Sequence, residues 1–218
     1  MDPRRFFGSA ERDAIAAAAA AAESQSRGEI VPYVVGRCDE HPEAVWSGAA
    51  LGALTSVGLA VLAWHDGRIW GAPVELWIGL PALVGAALGG LLALRLPALG
   101  RRLIGSASLE RRVRLRAEAA FLEEEVFDTR ERSGILVMLA LYERRALILA
   151  DSGINAQVAP EEWQTIVDAL TLGLRSGRAA EAMVEAIEAC GELLETRRVE
   201  RRADDVDEIP NVLRVRDR

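Results

Sequence analysis

Two stretches of this 218-residue chain carry no charge over the length of a bilayer crossing: Trp46 to Trp64, "WSGAALGALTSVGLAVLAW", and Leu76 to Leu94, "LWIGLPALVGAALGGLLAL". A helix needs roughly 20 apolar residues to pass through the hydrocarbon core, so 46–64 and 76–94 are predicted as two transmembrane helices. Tryptophan at both ends of the first suits the interface, where an amphipathic ring is stable. Residues 65–75 then form a short extracytoplasmic loop. Gly48 with Gly52, and Gly85 with Gly89, stand at the GxxxG spacing that lets two helix backbones approach closely.

Orientation follows from the arginines. The loop holds only Arg68, while Arg37 precedes the hairpin and Arg95, Arg101, Arg102, Arg111, Arg112, Arg114 and Arg116 follow it. Positive charge favours the cytoplasmic side, so the chain is predicted as a two-pass protein of the inner membrane with both termini in the cytoplasm. Its partners are then the lipid bilayer and other membrane proteins. The arginine cluster itself reads as a solvated face beside the membrane. A formal charge of -7 argues against nucleic acid. Neither helix carries an ionisable residue that would mark a transport path.

Residues 132–155 contain apolar runs too short to cross a bilayer: Ile135 to Leu141, then Ala146 to Ala150, separated by Tyr142 to Arg145. Short apolar runs with a tight polar link predict a hairpin of buried strands, and burial on both faces demands helices on each side. "GEIVPYVVG", Gly28 to Gly36, is a further strand by its β-branched content. The helices are legible as stripes. Ile15, Ala18, Ala19 and Ala22 share a face near the N-terminus, with Ser9 as the expected cap and Glu11, Asp13 and Glu23 arguing against an export signal. Leu109, Val113, Ala117, Ala120 and Phe121 form a second stripe. Trp163, Ile166, Val167, Leu170 and Leu174 form a third after Pro160, and Met183, Ile187, Cys190 and Leu194 a fourth after Gly177.

These elements describe one α/β domain, split into 1–40 and 104–200 by the membrane hairpin and followed by a charged tail, 201–218, that packs through Ile209, Val212 and Leu213. The expected fold is a three-layer α/β/α sandwich with a short mixed sheet. Cys38 and Cys190 lie far apart without CxxC spacing, so neither zinc nor a disulfide is indicated.

"RGEIVPYVV", "RSGILVMLALYERRALILADSGI", Trp163, "SGRAAEAMVEAIEACGELL" and "DEIPNVLRV" occur in an order that resembles the TPM domain family in its bacterial membrane branch. The resemblance implies the same α/β/α sandwich. It also implies two activities, since some relatives are described as acid phosphatases that bind a divalent ion, calcium in particular, and others as assembly factors for membrane complexes.

A hard cation such as Ca²⁺ or Mg²⁺ needs several oxygen ligands. Asp39 and Glu40 after the first strand, Asp151 after the third, and Asp128 and Glu131 before the second are the candidate acids, with Asp39, Asp151 and Asp128 the preferred metal set. A shared ion requires Asp39 and Asp151 within about 8 Å of each other. Glu143, Arg144 and Arg145 read as a solvated turn. His41 and His65 have no visible catalytic partner, and no phosphate loop is present. Two functions follow: a membrane-anchored interaction or assembly module, or a weak metal-dependent phosphatase.

Overall fold

The computed structural model describes residues 3–66, 73–197 and 208–217. In chain order it contains α1 (Ser9–Gln25), β1 (Glu29–Val35), α2 (Pro42–His65), α3 (Val74–Arg95), α4 (Pro97–Leu103), α5 (Ser106–Glu123), β2 (Gly134–Ala140), β3 (Arg145–Ala150), α6 (Ser152–Asn155), α7 (Pro160–Arg175), α8 (Ala179–Thr196) and β4 (Arg214–Arg216). The chain divides into two compact units, Met1–Asp39 with Glu110–Arg218, and Glu40–Leu109. Arg68 and residues 201–207 lie outside the described residues.

The first unit is a four-stranded mixed sheet in the order β3-β2-β1-β4, with β2 and β4 parallel to β1 and β3 antiparallel to β2. Both central strands are buried along their whole length, as unbroken apolar runs require. Alternate residues serve two cores. Ile30, Val34, Ile135, Val137 and Leu139 join the side chains of α1, α7 and α8, while Val31, Tyr33, Leu136 and Met138 meet Val113, Ala117 and Ala120 of α5. The three-layer sandwich therefore arises from strands whose two faces are both apolar.

Pro32 lies within β1, where a missing N–H would normally break a ladder. Glu29 and Val35 direct backbone bonds toward β2, and the N–H of Gly36 donates toward β4, so the N–H groups of even-numbered residues face the β4 side. β4 pairs only from Tyr33 onward, so Pro32 falls below its start and no bond is lost. On that same side the N–H of Ile30 donates to Glu23 Oε1 at 2.8 Å, which explains why an acid on α1 is buried.

Two expectations are corrected. Helix α1 is capped at Gly8, whose N–H donates to the Glu11 carboxylate at 2.7 Å, and Ser9 is its first helical residue. The charged tail supplies a strand: β4 pairs with β1, Ile209 and Leu213 are buried, and Val212 is exposed. Arg214 and Arg216 hold that short strand to Glu124 at the end of α5, a contact that hydropathy does not reveal.

The second unit contains α2 and α3, both long and apolar enough to cross a membrane, and α4, which packs against both. At 1.5 Å per residue they span about 36 and 33 Å. Their large side chains face outward, Leu54 and Leu83 being 71% and 72% exposed. Such a surface is unfavourable in water and suits lipid. Small residues meet inside: a Cβ on Gly52 would lie 2.0 Å from the Gly85 carbonyl oxygen, and one on Gly89 2.1 Å from that of Gly48. Helix α2 begins at Pro42, earlier than the uncharged stretch, because proline suits a first turn.

Candidate functional site

The carboxyl ends of parallel strands commonly gather ligand groups. Here the N–H groups of Leu141 and Tyr142 donate to the carbonyls of Val35 and Gly36, drawing the β2–β3 turn against the segment after β1. Arg144 takes a left-handed conformation (φ 52°) to close that turn. Glu143 is thereby buried, 3% exposed, and its Oε1 accepts the N–H of Cys38 at 3.0 Å. The expectation of a solvated turn is corrected for Glu143. A signal for it would have been an acid directly after an unbroken strand, where only an unpaired backbone N–H could justify its burial.

Around this pair the groups hold one another. Burial, and then the Glu143 carboxylate, push the Cys38 thiol far above its ordinary range, so no thiolate nucleophile is prepared. The Arg37 guanidinium stacks over the Tyr142 ring at 3.9 Å. Arg116 of α5 hydrogen-bonds the Tyr33 hydroxyl and pairs with Glu123 at 3.0 Å. Burial pushes the Tyr33 phenol up to about 12, against the opposing charge of Arg116. Asp39 is paired with Arg112.

Asp151 is elsewhere. Because β3 runs antiparallel to β2, its end returns to the start of β2, where the Asp151 N–H donates to the Gly134 carbonyl at 2.9 Å. Its Oδ1 accepts the Ser152 N–H and caps α6, and Arg132 lies 3.0 Å from Oδ2. Asp128 is exposed in the turn between α5 and β2, and Glu131 pairs with Arg27. Seven residues of β1 separate the two ends, about 20 Å at the usual strand rise. The expected meeting of Asp39 with Asp151 and Asp128 therefore does not occur. Among the described residues, no group of three or more His, Cys, Asp or Glu side chains is placed to hold a metal ion. The acids do not fit a shared divalent ion, because one end offers Asp39 to an arginine and the other commits Asp151 to a helix cap. His41 is buried beside Glu43 at 3.8 Å, and His65 ends α2.

A surface that the sequence did not indicate lies beside the edge strand β3. Helices α5 and α7 flank a groove of about 490 Å³ with Val113, Leu147 and Val167 at its floor and Arg114, Arg145 and Arg175 around it; Glu110 and Asp168 are the acids there. Thr171 Oγ1 accepts the Ala146 N–H at 3.2 Å, and the Arg175 guanidinium donates to the Arg144 carbonyl. Such a groove offers apolar contact and cationic donors together.

Residues 106–193 match the family described as the TPM domain. The fold is shared with the solution NMR structure of BA42 protein from the psychrophilic bacterium Bizionia argentinensis, at a TM-score of 0.57 and 19% identity, over 97% of this chain and 96% of that one. No curated protein matches.

Proposed function

Since the chain carries a TPM domain, we propose that it is a membrane-anchored interaction module whose domain docks other membrane components. The observation that carries this reading is the groove beside β3, where three arginines outnumber two acids around an apolar floor. An extended segment rich in Asp or Glu complements it, with apolar residues seated on Leu147 and Val167 and carboxylates received by the guanidinium forks. The hairpin keeps the domain at the bilayer and so raises its concentration relative to other membrane proteins. Its termini face the cytoplasm of a bacterial inner membrane, in keeping with Arg95, Arg101 and Arg102 after α3 and the single Arg68 in the loop.

A photo-crosslinking residue at Leu172, 66% exposed on the groove rim, tests this in intact membranes. Discrete protein adducts that vanish on Arg145→Glu with Arg175→Glu support docking; adducts indifferent to both changes sink it. Phosphate release measured on the same detergent-purified chain, with Ca²⁺, Mg²⁺ or Mn²⁺, separates the alternative. Metal-dependent turnover lost in Asp39→Asn or Asp151→Asn would turn the reading toward a TPM-type phosphatase.

A further inference from the structure

Close packing of glycine leaves a furrow on the hairpin. Gly48 and Gly52 of α2 lie against Gly85 and Gly89 of α3, and the larger neighbours Leu51, Leu59, Leu88 and Leu92 stand up on either side of an apolar groove of about 370 Å³. Thr55 and Ser56 also line it, but their hydroxyls donate to the carbonyls of Leu51 and Gly52 within α2. The groove therefore asks for an apolar occupant and offers no polar hold along its length.

Its extent is specific. From Gly48 to Leu59 is about 16 Å along the helix, half of a hydrocarbon core of about 30 Å, and the lining runs from the α4 end of the hairpin to a little past its middle. A partner helix would use the full length of α2 and α3. An acyl chain of one leaflet would use a track of about this length.

The mouth carries charge. Leu99 and Leu103 of α4 line the groove, and Arg102 stands at i+3 from Leu99, on the same side of that helix and exposed. No acidic residue occurs between Glu75 and Glu110, and Glu43, near the start of α2, lies beside His41. We propose that this groove binds one anionic phospholipid, its acyl chain along Leu51, Leu59, Leu88 and Leu92 and its phosphate at Arg102. The site joins an apolar track one leaflet deep to a cationic end at headgroup level, the arrangement that distinguishes an anionic lipid from a neutral one.

This rests on the hairpin lying in a bilayer, so recovery of the full chain in carbonate-washed membranes is established first; release by the wash overturns both readings. The detergent-purified chain is then offered equal amounts of phosphatidylglycerol and phosphatidylcholine with matched acyl chains, and retained lipid is counted by native mass spectrometry. Wild type should keep one phosphatidylglycerol with a preference of about fivefold, and Arg102→Gln should erase the preference. Arg101→Gln, two positions from Leu99 and so on the far side of α4, should behave as wild type. Thr55→Phe fills the furrow and should lose both lipids. Equal retention of the two lipids by wild type, unchanged preference in Arg102→Gln, or a lipid-free two-chain species seated on this face would overturn the lipid site alone. Matching circular dichroism across the variants excludes misfolding, and the Arg102 comparison stands without the Thr55 variant.

Discussion

The two units of this chain solve packing in opposite ways. In the sandwich, large side chains are inside: Ile187, Leu194, Ile135 and Met183 have no accessible surface. In the hairpin, the large side chains are outside and glycines are inside. Water explains the first, because burying apolar area is the main favourable term in folding. The proposed bilayer around the hairpin would remove that term, since leucine gains nothing by leaving acyl chains, and close backbone contact would take its place.

The sharpest test of that contrast is removal of a large side chain from each unit. Ile187→Ala should lower the unfolding free energy of the sandwich by about 2–5 kcal/mol, read by denaturant titration with the buried Trp163 as reporter. Leu83→Ala should leave the hairpin unchanged within error. Equal sensitivity at the two positions would break the comparison. The reverse experiment adds a side chain. Ideal Cβ positions at Ala49 and Gly90 lie 3.6 Å apart, within disulfide range, so Ala49→Cys with Gly90→Cys should cross-link α2 to α3 in a background with Cys38→Ser and Cys190→Ala. Adding Gly52→Leu should abolish the cross-link. Adding Gly58→Ala should not, because nothing lies within 4 Å of that position.

Much of the sandwich was legible because its pattern is redundant. Four helical stripes and three apolar runs each imply a buried face, and the faces can only satisfy one another. The strand β4 was not legible: three residues, two of them arginine, gain their place from Glu124 across space rather than from their own hydropathy. Helix α4 escaped for a similar reason, since seven residues are too few for a periodic signal. The acids teach something different. A tight β2–β3 hairpin is antiparallel by construction, so a residue that follows β3 must return to the start of β2. Because β1 pairs parallel to β2, a direction that the sequence pattern left open, Asp39 and Asp151 lie at opposite ends of the sheet.

Polar side chains are used differently in the two units as well. Glu143 answers a backbone N–H of a distant segment, whereas Thr55 answers a carbonyl of its own helix. Glu143→Leu should therefore cost the sandwich about 1–3 kcal/mol by stranding the Cys38 N–H, with Glu143→Gln milder because an amide oxygen still accepts. Thr55→Ala should stay within about 0.5 kcal/mol of wild type. A Glu143→Leu variant as stable as wild type would mean that water reaches Cys38, and the turn would be the open loop that its sequence suggests.

The smallest effect at neutral pH is the alkaline behaviour of Tyr33. Its phenol is pushed from about 10 to about 12 by burial, with Glu123 and Glu124 adding to the shift and Arg116 and Arg216 opposing it. A raised folded value means the neutral phenol is favoured in the folded state. The associated stability is complete below about pH 10, falls as the unfolded chain ionises, and is gone above about 12. Burial raises the Cys190 thiol to about 12 as well, which adds a loss of the same sign. Tyr33→Phe should therefore flatten the decline in stability between these limits without removing it, and leave neutral stability close to wild type. The hairpin, whose helices present no buried phenol or thiol among the described residues, should show no matching transition. Ordinary titration of Tyr33 in the folded protein would show that the face under α5 admits water, and the contrast between a dry sandwich and a hairpin with its large side chains outside would then hold only on the side of α1, α7 and α8.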